Sequence, residues 1–311
     1  MAKKATRQAF GEALAALGEK RTDIVVLDAD LSKSTKSELF AKKFPERFFE
    51  MGIAEANMIG TAAGLALAGK RPFCCSFACF LTGRYDQIRI SVAYSKANVV
   101  LVGTHAGVAI GDDGYSQQGL EDIAIMRAIP TMSVVQPADD LETAAAVEYL
   151  ASHDGPAFLR LTRQNVERVH AEGYTFRFGK VDPLRAGKDA VIFATGGTVH
   201  PALQAAEALA AEGISLAVVN VHTVKPLDAE GVVAAAREAG GKVLTVEDHT
   251  TIGGLGGAIA ETLSERFPSR VKRLGVDDVF GESGAPEAVV AKHGLDAAGI
   301  ARSVRAFLEG V

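Results

Sequence analysis

No unbroken apolar run in this sequence approaches the roughly 18 residues that a membrane span requires, so no membrane partner is expected. Cysteine is scarce. Cys74, Cys75 and Cys79 crowd into one short apolar stretch, which rules out a disulfide framework. With no histidine close by, the same spacing is a poor zinc signature. Reduced, buried thiols of a cytoplasmic protein are the expectation. Positive charge is not in excess: Lys and Arg number 33 against 38 Asp and Glu, leaving a net charge of −5. Nothing electrostatic therefore recommends nucleic acid as a partner, and any phosphate must be met locally. A Walker loop, an HExxH pair and a GxSxG elbow are all missing. "TIGGLGGAIAE" comes near a dinucleotide loop but lacks its third glycine and the acid that should follow. The basic start, "MAKKATRQAF", runs into an amphipathic pattern with Glu12 and Glu19, so no export signal is expected.

What is present is a long alternation of two periodicities. "TRQAFGEALAALGEK", "GIAEANMIGTAAGLALAG", "RYDQIRISVAYSK", "LEDIAIMRAI" and "DLETAAAVEYLASH" repeat with the helical period. Between them stand short apolar runs: "DIVVLDAD", "RPFCCSF", "NVVLVGT", "TMSVVQPA" and "PAFLRLT". Buried strands alternating with helices imply an α/β fold, a parallel sheet covered on both faces. The alternation lapses through the polar "RQNVERVHAEGYTFRFGKVDPLRAGK" and resumes from "DAVIFATGG" to "DAAGIARSVRAFLEG". Two doubly wound domains follow, residues 1–185 including the connection and a smaller one over 186–311, consistent with the usual domain size. The "ATGGTVHP" turn of the second reads as a plain strand-to-helix turn, although such a turn can also hold an anion.

One acid stands out. Glu55, in "MGIAEANMIG", is surrounded by apolar, small or amide side chains. A carboxylate withdrawn from water without a partner costs several kcal/mol or else holds a proton, and either outcome suits proton transfer. The plainer reading puts it at a helix N-terminus, where the macrodipole welcomes an acid; periodicity leaves both open. Gly52, Ala56, Gly60, Gly64 and Ala68 recur every fourth residue and form a stripe of small side chains that invites close packing. Ligands of parallel α/β sheets collect beyond the carboxyl ends of the strands. By that rule Asp30, Phe77, His105 and Arg163, which follow four separate strands, belong on one edge. The glycine-rich "IGDDGYSQQG" lies just beyond the His105 strand.

The segments "MGIAEANMIG", "SFACFLTGRYDQIR", "GTHAGVAIGDDGYSQQGLED", "LTRQNV" and "LTVEDHTTIGGLGGAIAE", in this order over nearly the whole chain, resemble the C-terminal half of transketolase. That resemblance implies a thiamine-diphosphate pyrimidine-binding domain followed by a C-terminal α/β domain. It does not extend to the domain that holds the cofactor diphosphate and metal. A divalent ion bridging phosphates needs oxygen ligands, which the family supplies from Gly-Asp-Gly and a later Asn. No Gly-Asp-Gly triplet occurs here, and after "GDDG" no asparagine appears until Asn165. The resemblance therefore implies an N-terminal partner subunit that carries thiamine diphosphate's diphosphate and its Mg or Ca, and assembly into an α2β2 heterotetramer.

Carried over by position, Glu55 resembles the glutamate that hydrogen-bonds the aminopyrimidine N1′ and favours the imino tautomer needed to deprotonate the thiazolium. Phe77 and Phe80 match the aromatic pocket for the pyrimidine. Asp30 matches a cofactor-side contact, with Leu31 and Ile53 packing nearby. Arg7, Ser34, His105 and Arg163 match positions that grip a sugar phosphate, a task that suits the planar guanidinium fork. Asp113 matches an acid that reads a sugar hydroxyl, and Gln117 stands where many relatives have histidine. Tyr115 departs from the proline common at its position. The activity implied is ketol transfer between sugar phosphates of the pentose phosphate pathway, on a chain that holds no metal itself. The alternatives are a pyrimidine-binding subunit of a 2-oxoacid dehydrogenase, a 1-deoxyxylulose-5-phosphate synthase-like enzyme, and a non-catalytic scaffold.

Overall fold

The computed structural model describes residues 3–310. Its strands, in chain order, are β1 (Lys3–Ala5), β2 (Ile24–Asp28), β3 (Phe48–Glu50), β4 (Arg71–Phe77), β5 (Val100–Thr104), β6 (Ser133–Val135) and β7 (Ala157–Arg160). Then come β8 (Asn165–Glu167), β9 (Asp182–Arg185), β10 (Ala190–Ala194), β11 (Leu216–Asn220), β12 (Thr223–Lys225), β13 (Lys242–Thr250) and β14 (Arg270–Val276). A seven-stranded sheet in the order β12-β6-β7-β5-β4-β2-β3 carries the first domain, and a five-stranded sheet, β14-β13-β10-β11-β9, carries the second. Within the first, β2, β3, β4, β5, β7 and β6 run parallel.

Both sheets are covered on both faces, as the continuous apolar runs require. Successive residues of one strand enter different cores. Leu27, Cys74, Leu101 and Phe158 pack with Met58, Ile59 and Met126, while Val26, Cys75, Val102 and Leu159 pack with Phe10, Leu14 and Phe40. The second domain repeats the arrangement: Ile192, Val218 and Leu244 lie against Ala202 and Val304, and Phe193, Val219 and Val243 against Val232 and Ile259.

Three details depart from the sequence reading. The polar connection holds two strands: β8 pairs with β1, and β9 forms the antiparallel edge of the second sheet, so that sheet begins ahead of residue 186. From the far side of the connection, β12 returns to pair antiparallel with β6 of the first sheet. Strands of three or four residues at sheet edges have no apolar run to announce them. Thirdly, the helix read from Gly52 begins at Glu55. Gly52 takes φ +66°, and Ala54 lies outside the helical region at φ −143° and ψ 58°.

The connection is pinned by a buried polar cluster. The His170 ring donates to Asp139 Oδ2 at 2.9 Å and Asp182 Oδ2 at 3.2 Å. Tyr174 Oη donates to Glu142 Oε1 at 2.7 Å, and Asn220 of the second domain donates to the same carboxylate at 2.9 Å. Burial by itself would lower His170, but the facing carboxylates Asp139, Asp182 and Glu142 outweigh it and push it up to about 10.

The small-residue stripe on helix Glu55–Leu67 packs against no backbone of the described chain. A Cβ at Gly64 would meet nothing within 4 Å, and one at Gly60 only the Gln87 side chain at 3.4 Å. The stripe is flanked by exposed Ile53, Leu67, Ile90 and Tyr94, the first and last being 83% and 84% accessible. No helix among the described residues is long and apolar enough to cross a membrane.

Candidate functional site

The carboxyl ends of the parallel strands β2, β4, β5 and β7 share one edge, as expected for Asp30, Phe77, His105 and Arg163. There a cleft of about 410 Å³ is lined by Arg7, Lys33, Ser34, Lys36, Phe77, His105, Asp113 and Arg163. Six of these were singled out from the sequence. The alternation of strand and helix brings them together across more than 150 residues of chain.

Each is held by a local reason. Arg7 opens helix Thr6–Lys20, and the Thr6 hydroxyl accepts from the Thr162 amide at 2.8 Å, which sets Arg7 beside Arg163. Arg7 Nη1 donates to the Ser34 carbonyl at 2.7 Å and to His105 Nε2 at 3.1 Å. An arginine cannot accept, so His105 Nε2 is the acceptor and Nδ1 carries the proton, which it donates to Thr104 Oγ1 at 2.9 Å. Burial, then Arg7 and Arg163, push His105 down to about 3, in keeping with a neutral ring. Burial, then Arg163, also lower Arg7, with Asp113 opposing. The His105 ring stacks on Phe77 at 3.7 Å between centroids, and Phe77 on Phe80 at 5.5 Å and 11°. Arg163 Nη1 reaches the Ile110 carbonyl at 2.6 Å.

Two lysines and an aspartate escaped the sequence reading. Lys33 and Lys36 raise the cleft to four cations against the single carboxylate of Asp113. Their signal was present in "LSKSTK", but spacing alone does not say where a loop lysine points. Asp28, at the end of β2, folds that loop: its carboxylate accepts from Leu31 N, Thr35 Oγ1 and Ser37 Oγ at 2.7, 2.7 and 2.8 Å. Burial nevertheless pushes Asp28 up to about 6. An acid closing an otherwise apolar strand was the available clue. Three of the five non-glycine residues at positive φ among the described residues, Asp30, Lys36 and His105, fall in this region. Such strained backbone gathers at functional sites.

The remaining candidates lie outside the cleft lining. Glu55 is the first residue of helix Glu55–Leu67 and only 5% exposed, so the helix-terminal and buried readings both hold. Among the described residues its carboxylate accepts no hydrogen bond; Arg84 Nη2 stands 3.9 Å away. Asp30 is exposed and donates its amide to Glu50 Oε1, while half-buried Leu31 donates its own to Asp28. Gln117 sits on the short helix Tyr115–Gln117, its carbonyl taken by the Cys79 thiol at 3.2 Å. Tyr115, in place of the expected proline, packs its ring near Phe280 of the second domain at 5.8 Å.

The rejected dinucleotide loop is explained as well. Glu247 accepts from the Leu255 and Gly256 amides at 2.7 Å, so the chain fills that helix N-terminus with its own acid. Likewise Gly196 of the "ATGGTVHP" turn packs against the Gln136 side chain. Among the described residues no group of three or more His, Cys, Asp or Glu side chains is placed to hold a metal ion.

Comparison with known proteins shows the family to which the chain is similar. Residues 2–168 match the family described as transketolase, pyrimidine binding domain, and residues 179–300 match transketolase, C-terminal domain. A Methanocaldococcus jannaschii protein assigned as a transketolase C-terminal section is 47% identical over 97% of this chain and 95% of its own. The 6-deoxy-6-sulfo-D-fructose transketolase subunit SqwH of a Clostridium strain is 43% identical over 97% and 94%. Human transketolase is 40% identical over 98% of this chain, which spans only 49% of it. Among solved structures, a split-gene transketolase described as an inactive β4 tetramer superposes with a TM-score of 0.91 at 48% identity, covering 98% of each chain. Transketolase from Leishmania mexicana gives 0.84 at 27% identity, with 46% of that chain covered.

Proposed function

The chain belongs to the transketolase family, and from that membership we propose that it is the C-terminal subunit of a split, thiamine-diphosphate-dependent transketolase. In this reading a separate N-terminal subunit supplies the diphosphate- and metal-binding domain, and the two assemble as a cytoplasmic α2β2 heterotetramer. The reaction moves a two-carbon ketol unit from a ketose phosphate to an aldose phosphate. The observation that carries the reading is the convergence of Arg7, His105, Arg163 and Asp113 in one cleft beside Phe77.

The residues present suit the cofactor. The buried Glu55 carboxylate lacks a hydrogen-bond donor within the described chain, and partly buried Phe80, backed by Phe77, offers a flat apolar face, as an aminopyrimidine requires. Asp30, Leu31 and Ile53 would border it. When bound, thiamine diphosphate supplies an acidic carbon able to add to a ketose carbonyl and carry the two-carbon unit. This chain's own part is to accept a hydrogen bond at Glu55 Oε, to stack the ring and to exclude water from it. Arg7, Lys36 and Arg163 grip the terminal anion of the sugar by charge-assisted bonds. His105, neutral and with its Nε2 lone pair directed to Arg7, holds that guanidinium in place. Asp113 accepts from a hydroxyl near the reacting carbon.

The exposed stripe on helix Glu55–Leu67, flanked by Ile53 and Leu67, suits a partner surface that begins at the Glu55 end. The test is a titration of thiamine diphosphate with magnesium, first into this chain alone and then into its mixture with a subunit bearing Gly-Asp-Gly. Tight binding and ketol transfer are expected only for the mixture. Tight binding by the chain alone, or a mixture without turnover, would overturn the assignment.

A further inference from the structure

We propose that Asp248, on β13 of the second domain, is a positioning residue for the cleft, holding the turn that follows His105; the functional part of this proposal rests on the reading above. The carboxyl ends of the second domain's parallel strands point not at solvent but at the first domain. What meets the end of β13 there is the loop between His105 and Leu120. Asp248 Oδ1 accepts from the Val108 amide at 2.8 Å. Next to it the Thr250 amide donates to the Leu120 carbonyl at 2.8 Å, so both ends of the loop are tied to one strand. The loop is also closed on itself by Gly107 N to Gly119 O at 2.9 Å.

Gly107 shows how close the approach is. It takes φ +85°, and a Cβ there would collide with the Asp248 carboxylate. Asp248 is 6% exposed, and burying an acid beneath a loop is a costly way to gain stability alone, since apolar packing does as well. What a carboxylate adds is direction: the Val108 amide of the turn is fixed by an acceptor set at the right point. The turn so fixed begins two residues after His105, whose own backbone is at φ +56°, and it leads to the Ile110 carbonyl that Arg163 grips and on to Asp113. The second domain, which contributes no residue to the lining of the cleft, thus sets the placement of three groups that do.

The test compares Asp248→Ala with Asp248→Asn, which keeps an acceptor oxygen, and with Asp296→Ala, which removes a helix cap of the same domain far from the loop in sequence. Amide hydrogen exchange is read on each chain, and binding of inorganic phosphate is read from the His105 ring resonances. In Asp248→Ala, exchange should rise over residues 107–113 and phosphate affinity should fall by about tenfold, the scale of one lost buried hydrogen bond. Asp248→Asn should stay close to the parent, and Asp296→Ala should lose stability with the loop and the affinity unchanged. In the reconstituted enzyme the loss should appear mainly in KM for the sugar phosphate. Unchanged loop exchange in a folded Asp248→Ala, or equal effects of Asp248→Ala and Asp296→Ala, would overturn the proposal. If the parent chain binds no phosphate while loop exchange responds as described, the positioning role stands and the sugar-phosphate reading falls.

Discussion

Replacing Glu55 by Gln separates the two physical readings of this residue, because they predict losses of different size in different quantities. As a helix-terminal acid, Glu55 contributes about 0.3–1 kcal/mol through the macrodipole. Arg84, at 3.9 Å with half its side chain in solvent, adds at most about 1 kcal/mol. Glutamine keeps the volume and opens no cavity, so the folded chain should lose no more than about 2 kcal/mol. As a group that handles a proton at the reacting centre, Glu55 is worth about 10²–10⁴ in rate, or roughly 3–5 kcal/mol of barrier. The assay pairs thermal unfolding of the variant chain with turnover of the variant reconstituted with its partner at saturating thiamine diphosphate. A small shift in melting with turnover reduced by at least two orders of magnitude is expected. Turnover within about threefold of the parent would refute the proton-handling role and leave a helix-terminal acid.

Lys36→Met, at the mouth of the cleft, should raise KM for a sugar phosphate severalfold with little change in kcat, and should flatten the dependence of KM on ionic strength. His170 couples the fold to pH: its folded value near 10 lies above the unfolded one, so its stabilisation is complete below about pH 6.5 and is lost as pH rises through about 10. Thermal midpoints of the parent should therefore fall between neutral and alkaline pH, and those of His170→Asn should be lower and flatter over the same range. Arg160→Met strands the fully buried Asp122, whose carboxylate now meets Arg160 at 2.7 and 3.0 Å, and should cost about 3–5 kcal/mol in urea unfolding. Restoring neutrality with Asp122→Leu in the same chain should recover much of it.

The architecture was legible because each core strand carries its own announcement. The middles of "DIVVLDAD", "RPFCCSF" and "NVVLVGT" are buried on both faces and so are apolar, and β4 spans Arg71–Phe77 just as its run predicts. The rule that ligands gather beyond parallel strand ends then brought Phe77, His105 and Arg163 to one edge without any three-dimensional information. Resemblance supplied Arg7, Ser34 and Asp113, which no periodicity marks.

What the sequence by itself determined is thus the set of elements whose burial is uniform along the chain, and the chemistry of residues that follow them. Only the tertiary structure decided how the two domains meet. β9 and β12 are edge strands too short to show a period, yet β9 completes the second sheet and β12 crosses back to the first, and Asp248 reads locally as one more acid at a strand end. The small-residue stripe, which local spacing suggests is a packing surface, lies open on the described chain, because which neighbour approaches a helix is settled by the whole fold and not by the helix. Contacts between distant segments leave no mark on either segment alone, since each side needs only to be compatible with the other. That is why the loop after His105 could be recognised from its glycines, while the acid beneath it could not.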